Sequence, residues 1–354
     1  MAQITQSAPE RIFQLLRSGQ ELTRQDIAGK LSLSMPTTLQ YVTRLIEAGI
    51  LEECGAAQSS GGRKAKILRL CPEAGHAVGV NIGIRHVELM ITDLLGSPRQ
   101  AGSFSLAFQD DPEWYAQFHD VLIRFLAEHQ LDPEQILGGG VSFPGIIDGA
   151  GSQINRSHIL GLSHMSLDRF QKALPFPAIF ANDANCACFA ERSSIRGSYF
   201  YLSLNESVGG AIMLNGQLWI GDTFQAGEVG HVLLIPDGRL CYCGKKGCAD
   251  AYLSPHALER DGWDAYLDHL AILVTNLRML FNMDLVVGGQ VGAQIGPHMG
   301  ALQAKAVQYD RFARDIDYIY PCTQGEFACA LGAASFALEK FGSHVLLGKE
   351  DDLL

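Results

Sequence analysis

Residues 228–231 read Glu-Val-Gly-His, and residues 241–250 read Cys-Tyr-Cys-Gly-Lys-Lys-Gly-Cys-Ala-Asp. Thiolate and imidazole groups are the ligands that Zn(II) prefers in a structural site, which is tetrahedral and has four of them. The candidate ligands are His231, Cys241, Cys243 and Cys248. The glycines among them allow the backbone to fold tightly around one ion. Two disulfides would need four cysteines, and this cluster contains three, so the stretch predicts a zinc site.

The spacing of these residues also resembles that of a known family. Glu-x-Gly-His, followed after a short spacer by Cys-x-Cys-Gly-x-x-Gly-Cys, is similar to the pattern of the ROK family of sugar kinases and sugar-responsive transcription factors. The resemblance reaches from the N-terminal segment to Leu331–Leu338 and is strongest to sugar repressors of the Mlc and NagC type. It implies an α/β protein with an N-terminal winged helix-turn-helix, followed by a two-lobed, actin-like domain of the ROK sugar kinase type.

The composition predicts a globular protein with room for two or three domains, because the 354 residues include 47% hydrophobic residues and 38 glycines. The polar N-terminus and the lack of a long apolar run predict neither a signal peptide nor membrane insertion, so we expect a cytoplasmic protein. The net charge is −11, but residues 1–75 carry +2 and the remainder carries −13. A slightly basic first segment is compatible with DNA contact through that segment alone.

The first 75 residues have the pattern of a small DNA-binding domain. Apolar residues at helical spacing predict three short helices between residues 9 and 48, with Thr23 and Ser34 as the N-caps of the second and third. Two strands, at residues 50–53 and 66–70, flank a glycine-rich basic loop. Three helices followed by such a hairpin resemble a winged helix-turn-helix, for which we expect the bounds 1–75.

In that arrangement the third helix enters the major groove of DNA. We expect its apolar stripe to contain Leu39, Val42, Leu45 and Ile46. The residues expected to face outward are Met35, Thr37, Thr38, Gln40, Tyr41 and Arg44. On the wing, Arg63, Lys64 and Lys66 would meet phosphates or a minor groove. The alternative is a helical docking module whose polar face is simply solvated.

From Ala77 onward, strands alternate with helical segments, which indicates an α/β fold. The resemblance divides this part into a first lobe at residues 76–190, completed by a C-terminal helix at residues 326–342, and a second lobe at residues 191–325 with the zinc site. The predicted helix Asp264–Phe281 carries an apolar stripe that fits either a subunit interface or the protein core.

Two loops that handle nucleotide phosphates in ROK kinases are altered in this chain. The resemblance places the Asp-x-Gly-Gly-Thr loop at residues 81–85, which read Asn-Ile-Gly-Ile-Arg. It places the loop Gly-Thr-Gly-x-Gly at residues 205–210, which read Asn-Glu-Ser-Val-Gly-Gly. Phosphoryl transfer needs Mg²⁺ and a backbone that approaches the phosphates closely, and Glu206 would repel them. We therefore expect no kinase activity.

The sugar-binding positions of the family are better matched. The resemblance assigns contacts with sugar hydroxyls to Asn182, Asp183, Glu228 and His231, and Asp183 stands at the position of the kinases' catalytic base. Asp250 stands where the family usually has a glutamate, so its reach or the sugar preference is altered. Such a set suits a polyol, because each hydroxyl needs both donors and acceptors in a desolvated pocket.

These observations lead to one hypothesis with two alternatives. The chain is expected to be a transcriptional regulator, a repressor of sugar uptake or metabolism genes, with a structural Zn(II) and a kinase-inactive ROK domain that senses a sugar or sugar phosphate. It would act as a homodimer or homotetramer on a two-fold symmetric double-stranded DNA operator. The alternatives are an active sugar kinase with a DNA-binding domain, and a regulator controlled by a protein partner such as a sugar transporter component.

Overall fold

The computed structural model describes residues 7–56, 65–313 and 316–341, and its first elements form a small helical unit with a three-stranded sheet, called the head below. They are α1 (Ala8–Arg17), β1 (Leu22–Thr23), α2 (Arg24–Leu31), α3 (Met35–Glu47), β2 (Leu51–Ala56) and β3 (Lys66–Leu70). The side chains of Thr23 and Ser34 each accept a 3.2 Å hydrogen bond from a backbone N–H, so both predicted N-caps are confirmed. Strand β3 lies between β1 and β2 and is antiparallel to both.

The first lobe is built on a five-stranded mixed sheet. Its elements are β4 (His76–Ile82), β5 (His86–Asp93), β6 (Pro98–Ser105), α4 (Pro112–Glu128), β7 (Ile136–Phe143), β8 (Ile146–Ile147), β9 (Gln153–Ser157), β10 (Leu162–Ser166), α5 (Asp168–Ala173) and β11 (Ala178–Asn182). The strand order is β11-β7-β4-β5-β6, in which β4, β7 and β11 run parallel. Strands β8, β9 and β10 form a separate small sheet that the sequence did not predict. Aromatic side chains of α4 and α5 cover one face of the large sheet.

The second lobe contains another five-stranded sheet, in the order β14-β13-β12-β15-β16. The remaining elements of the chain are α6 (Asp183–Glu191), β12 (Tyr199–Leu204), β13 (Val208–Leu214), β14 (Gln217–Trp219), α7 (Asp250–Leu253), α8 (Pro255–Phe281), β15 (Asp284–Gly288), α9 (Gly289–Gly292), α10 (Met299–Ala306), β16 (Ile319–Pro321) and α11 (Ala328–Phe341). The apolar stripe of α8 packs into the core of this lobe, so the core alternative holds for that stripe. None of the described helices is both long enough and apolar enough to cross a membrane.

Helices α6 and α11 pack closely against each other and against the first sheet. A Cβ atom at Gly332 of α11 would lie 1.7 Å from the carbonyl oxygen of Cys186 in α6. A Cβ atom at Gly79 of β4 would likewise lie 1.7 Å from the carbonyl oxygen of Ala330 in α11. Glycine is therefore required at both contacts, and the two helices cannot shift independently without separating packed backbone.

The head shares a hydrophobic cluster with the rest of the chain. Phe13 and Leu16 of α1 belong to one buried cluster with side chains of the first lobe and of α11, which are Ala77, Leu94, Leu137, Ala334, Ala337 and Leu338. At the edge of this contact, Glu339 of α11 lies 3.7 Å from Arg17 of α1 and 3.1 Å from Arg192, the residue that follows α6. The head thus rests on α11 through a packed apolar surface and a three-residue ionic cluster.

Candidate functional site

A cleft between the lobes brings together four of the side chains assigned to a sugar site. Asn182 and Asp183 reach it from the junction of β11 and α6, and Glu228 and His231 reach it from the loop after β14. We call these four residues the sugar half. The first two come from the end of the first lobe's sheet and the last two from the second lobe, so a ligand in the cleft would touch both lobes.

Asn182 and Asp183 hold each other in place at the start of α6. The Oδ1 atom of Asn182 accepts the backbone N–H of Asn185, and its Nδ2 atom donates to Gly145 O and to Asp183 Oδ1, all at 3.0 Å. Asp183 Oδ1 also accepts the N–H of Ala184 at 2.9 Å. Burial in the cleft raises the pKa of Asp183 to about 7, and the negative charge of Glu228 contributes in the same direction. Asn182 therefore positions Asp183, whose second oxygen Oδ2 remains for a ligand.

Glu228 owes its position to a close backbone contact. The preceding residue, Gly227, has φ of +91°, and a Cβ atom there would lie 2.2 Å from the carbonyl oxygen of Gly210 in β13. Only glycine fits this approach, which brings the loop against the sheet. Burial raises the pKa of the Glu228 carboxyl. Two acids with raised pKa values thus share one cleft, an arrangement that favours neutral hydroxyl-rich ligands over anions at this point.

Asp250 does not line the cleft, which corrects its expected role as a sugar contact. It is 5% exposed, and its Oδ2 atom accepts the backbone N–H of Val208 at 2.8 Å and the hydroxyl of Tyr242 at 3.4 Å. Burial raises the pKa of Asp250 to about 6. Tyr242 and His158, which the sequence reasoning missed, line the cleft instead. The position of Tyr242 between two candidate metal ligands was the available signal.

The predicted metal ligands converge beside the cleft. The ligand atoms of His231, Cys241, Cys243 and Cys248 all lie within 4.8 Å of one another. The sulfur atoms of Cys243 and Cys248 are 3.6 Å apart, and Cys241 Sγ is 3.8 Å from His231 Nδ1. Ligands at about 2.3 Å from a tetrahedral zinc would lie roughly 3.8 Å from each other. The donor set and its spacing therefore fit one four-coordinate metal ion.

The first phosphate-loop position is occupied by a network of protein side chains. Asn81 donates to Glu88 Oε2 and accepts from Ser142 Oγ, both at 2.9 Å. The other oxygen of Glu88 lies 3.4 Å from His86 Nε2, and the hydrogen bond to Glu88 raises the pKa of His86. The His86 ring also packs over Gly83, where a Cβ atom would lie 2.8 Å from the ring. The groups at this position are hydrogen-bonded to one another.

The second phosphate-loop position is also altered. Asn205 Oδ1 accepts the backbone N–H of Gln290 at 2.7 Å, and its Nδ2 atom donates to Ser203 Oγ at 3.0 Å. Glu206 lies 3.6 Å from His256. The Asn205 side chain thus accepts one N–H group in the first turn of α9, and the carboxylate of Glu206 follows it in the sequence. We call residues 81–88 and 205–207 the nucleotide half.

The outward face of α3 differs from the expected one mainly at two neighbouring residues, Thr38 and Leu39. Thr38 is fully buried, with its hydroxyl bonded to Ser34 O at 3.0 Å, so it cannot contact DNA. Leu39, expected in the core, is 51% exposed, as is Met35 at 49%. Gln40 is exposed as expected, whereas Thr37, Tyr41 and Arg44 are half-buried. The face available for DNA is therefore more apolar than the sequence indicated.

The wing is described only in part. Lys66 is exposed and forms an ion pair with Glu53, which also lies 3.1 Å from Arg24. The positive charge of Lys66 is thus paired with the carboxylate of Glu53. Arg63 and Lys64 lie outside the described residues, and their phosphate contacts stay predictions.

Comparisons with known proteins agree with this architecture. Residues 10–52 match a winged helix-turn-helix DNA-binding family, and residues 77–264, more than half of the 354, match the ROK family. The chain belongs to the ROK family. A ROK family transcriptional regulator, homologous to the E. coli MLC protein, superposes with a TM-score of 0.77 and 17% identity over 96% of both chains. A ROK family glucokinase from Streptomyces griseus, solved with glucose and AMPPNP, has a TM-score of 0.61 and 20% identity, and covers 74% of this chain and 99% of the kinase.

Two curated relatives are regulators by name. The xylose repressor of Bacillus spizizenii is 25% identical over 242 residues, which are 67% of this chain but only 63% of the repressor. The transcriptional dual regulator NagC of Escherichia coli K12 is 20% identical over 308 residues, 84% of this chain and 76% of NagC. The expected fold, a winged helix-turn-helix before a two-lobed ROK domain, is confirmed.

Proposed function

We propose that this ROK protein is a DNA-binding repressor of sugar uptake or metabolism genes, and that its two-lobed domain senses a sugar or sugar phosphate without phosphorylating it. One observation carries the proposal: the sugar half lines one cleft, while side chains of the nucleotide half are engaged with other protein groups. The regulatory names of the xylose repressor and NagC support it. We also place the protein in the cytoplasm, where such a repressor acts.

The chemistry of the sugar half supports a polyol ligand. Asp183 Oδ2 and the carboxylate of Glu228 can accept hydrogen bonds from hydroxyl groups, and both belong to the cavity wall. Hydroxyl ligands are neutral, so they can satisfy these acids without adding another charge. Asn182 contributes by orienting Asp183, because its own amide groups are already bonded to the protein.

The absence of kinase activity is part of the proposal. A kinase needs a metal-binding acid and a close backbone approach at the phosphates. Asn81 has an amide in place of the acid, and both its Nδ2 and Oδ1 atoms are hydrogen-bonded to protein side chains. Glu206 adds a negative charge at the second loop. Asp183 has a pKa suited to a base, but a base alone transfers no phosphoryl group. The alternative of an active kinase with a DNA-binding head is disfavoured on these grounds.

The head is proposed to bind a double-stranded DNA operator through α3 and the wing. Gln40 is exposed on α3, and an amide can pair with an adenine edge in the major groove. Exposed Leu39 and Met35 beside it can contact thymine methyl groups. Arg44, Arg63, Lys64 and Lys66 would add base or phosphate contacts. A homodimer or homotetramer would match a two-fold symmetric operator.

The contacts between α6, α11 and α1 give the sensor a physical connection to the head. Asp183 begins α6, α6 packs on α11 through Gly332, and Glu339 of α11 bridges Arg192 and Arg17. Because their backbones are in contact, a ligand that favours one closure of the lobes would move α6 and α11 together and thereby change the position of the head. Such coupling is typically worth about 1–3 kcal/mol, which is a 5- to 150-fold change in DNA affinity.

The metal cluster is proposed to hold one structural Zn(II). A bound zinc would fix the loop at residues 241–248 and the orientation of His231 at the cleft wall. His231 would then present a fixed ring face to the sugar, since its Nδ1 atom belongs to the metal cluster. Metal and sugar binding should therefore depend on each other.

The test combines a ligand screen with DNA binding by the purified full-length chain. Neutral sugars, acetamido sugars and their 6-phosphates are tested for thermal stabilisation, since a ligand of the folded state raises its stability. A duplex selected in vitro from random sequence serves as the operator. We expect one ligand to raise the melting temperature and to weaken duplex binding. Stabilisation by no sugar, together with duplex release by a transporter protein alone, would favour the protein-partner alternative.

A further inference from the structure

One carboxylate of the wing holds two cations. Arg24, the first residue of α2, donates a hydrogen bond to Glu53 of β2 at 3.1 Å, and Lys66 of β3 donates to the other carboxylate oxygen. The side chains of Arg24 and Glu53 are 25% and 27% exposed. Salt screens such partly buried charges less than fully exposed ones. We call Arg24, Glu53 and Lys66 the wing triad.

The triad lies on the face of the wing that turns toward the helices of the head. Glu53 stands opposite Leu68 in the hairpin, and Leu68 is buried in the core of the head. Neighbouring residues of a strand point to opposite faces, so Glu52 lies on the other side. There Arg69 donates to Glu52 at 2.6 Å, and it lines a cavity toward the first lobe beside Leu95. The wing thus carries one ion-paired group on each face.

Both cations of the triad belong to elements that meet the DNA backbone in this type of fold. In a helix-turn-helix, the helix before the recognition helix crosses the backbone, and here that helix is α2, which begins with Arg24. Lys66 lies on the wing, two positions after Lys64 in the sequence. Arginine and lysine bind carboxylates and phosphates through the same charge-assisted hydrogen bonds. The carboxylate of Glu53 therefore holds the two cations as a phosphate would.

We propose that Glu53 takes the place of a DNA phosphate in the free protein and thereby limits the strength of sequence-independent DNA binding. This inference rests on the proposed function, in which the head binds DNA. A phosphate that approaches Arg24 or Lys66 must displace the carboxylate bonded to it, and the carboxylate repels the phosphate. The triad then replaces fewer of the counterions on DNA than two free cations would. Since phosphate contacts carry no sequence information, operator and unrelated DNA are affected alike.

Hydrogen bonding keeps the acid of the triad charged. The bonds from Lys66 and Arg24 hold the pKa of Glu53 below its ordinary value, so the carboxylate is ionised at neutral pH. Residues 1–75 carry a net charge of +2, which becomes +3 when Glu53 is replaced by a neutral residue. Glutamine keeps the length of the side chain and one oxygen acceptor. Glu53→Gln therefore removes the charge while retaining an acceptor between the wing and α2.

The experiment measures DNA affinities of the metal-loaded, full-length chain by fluorescence anisotropy. The duplexes are the operator selected in vitro and one of unrelated sequence, each titrated at about 50 to 200 mM salt. The variants are Glu53→Gln and Glu52→Gln. The second is the matched control, because it makes the same change in net charge on the other face of the same hairpin. Thermal unfolding of each variant shows whether it remains folded.

We expect Glu53→Gln to bind both duplexes more tightly than the wild type does. One additional phosphate contact adds about 0.9 to the slope of log affinity against log salt concentration, which is roughly a tenfold gain at about 0.1 M salt. The slope should steepen by this amount for both duplexes, and the ratio of the two affinities should stay the same. Glu52→Gln should change affinity and slope much less.

The outcomes separate the role of Glu53 from the proposed function. If the wild type binds the selected duplex no more tightly than the unrelated one, the DNA-binding function itself is contradicted. If the wild type discriminates, but Glu53→Gln binds like the wild type or only as Glu52→Gln does, the role of Glu53 is overturned while the function stands. Weaker binding by Glu53→Gln would also overturn it, because the carboxylate would then serve to hold the wing in place for DNA.

Discussion

The sugar half and the nucleotide half differ in what their polar groups face. In the sugar half, Asp183 and Glu228 point toward the space between the lobes, and their pKa values are raised because little solvent reaches them. In the nucleotide half, Asn81 and Asn205 are bonded to neighbouring protein groups. The carboxylates of the sugar half are thus available to a ligand, whereas the amides of the nucleotide half already have protein hydrogen-bond partners.

This difference explains how a kinase-like fold can serve as a sensor. A sensor needs only a difference in ligand affinity between two conformations of the protein. It does not need groups that stabilise a phosphoryl-transfer transition state. The side chains that would position Mg-ATP can therefore be replaced by residues that form hydrogen bonds within each lobe, while the sugar contacts are retained.

The largest effect is expected from the metal cluster, which shares His231 with the sugar half. Cys248→Ser should lower the zinc content from about one per chain and destabilise the protein by several kcal/mol, since metal binding contributes directly to folding. Sugar affinity should fall with it. Metal analysis and thermal unfolding are the measurements, and Cys71→Ser, away from the cluster, is the control. Zinc-free protein that folds and binds both ligands normally would refute the structural role.

The second prediction compares substitutions in the sugar half with substitutions in the nucleotide half. Asp183→Ala or Glu228→Ala should leave duplex binding intact and abolish its 5- to 150-fold response to the effector. The double variant Asn81→Asp with Glu206→Thr, which restores two kinase-type residues, should respond like the wild type. Fluorescence anisotropy of a labelled duplex with and without effector measures both. Asp168→Ala, an exposed acid of the first lobe, is the matched control. A normal response of both sugar-half variants would mean that the cleft is not the sensor.

The raised pKa of Asp183 predicts a pH dependence of stability. The folded-state pKa is about 7, above the ordinary value of about 3.9, so the folded state holds a proton that the unfolded chain releases at lower pH. The free energy of unfolding should therefore fall as the pH rises toward 7, by about 1 kcal/mol between pH 6 and pH 8 from this group. Asp183→Asn should remove this contribution to the pH dependence of the free energy of unfolding. Urea unfolding of the wild type and of Asp183→Asn at both pH values measures this change in the free energy of unfolding. The same change with pH in the two proteins would contradict a raised pKa of Asp183.

The smallest effect is expected where the sensor meets the head. Arg17 and Glu339 lie 3.7 Å apart at a partly exposed contact, and such pairs are typically worth about 0.2–1 kcal/mol. A double-mutant cycle of Arg17→Ala and Glu339→Ala should show a coupling of this size in the effector-induced change of duplex affinity. Arg169→Ala, which removes an ion pair with Asp110 in the first lobe, is the control. Strictly additive effects would show that the signal does not pass through this pair.

The features that sequence reasoning predicted correctly are mostly local. The N-caps at Thr23 and Ser34 depend on a few neighbouring residues, and so does the spacing of Cys241, Cys243 and Cys248. The first lobe's main strands follow from their apolar runs. The placement of Asn182 and Asp183 at the cleft was predicted from the resemblance to a family. Such a resemblance carries information about contacts between distant residues, which periodicity does not contain.

The errors come from contacts between distant parts of the chain. Thr38 is buried and Leu39 exposed because the packing of α3 in the head decides which of the two faces inward, and the buried hydroxyl of Thr38 is bonded to Ser34 O. Asp250 does not line the cleft, because Val208, far away in sequence, donates its backbone N–H to the Asp250 carboxylate. The docking of the head on α11 joins residues more than three hundred positions apart, which no local pattern can predict.

The central claim is that the cleft binds a sugar and performs no phosphoryl transfer. A coupled assay of ATP consumption, run with Mg²⁺ and saturating concentrations of every sugar that stabilises the purified chain, tests it most directly. The account predicts no sugar-dependent turnover, although Asp183 is present as a base and the sugar is bound. Sugar-dependent turnover on the order of 1 per second or more, an ordinary enzymatic rate, would contradict it.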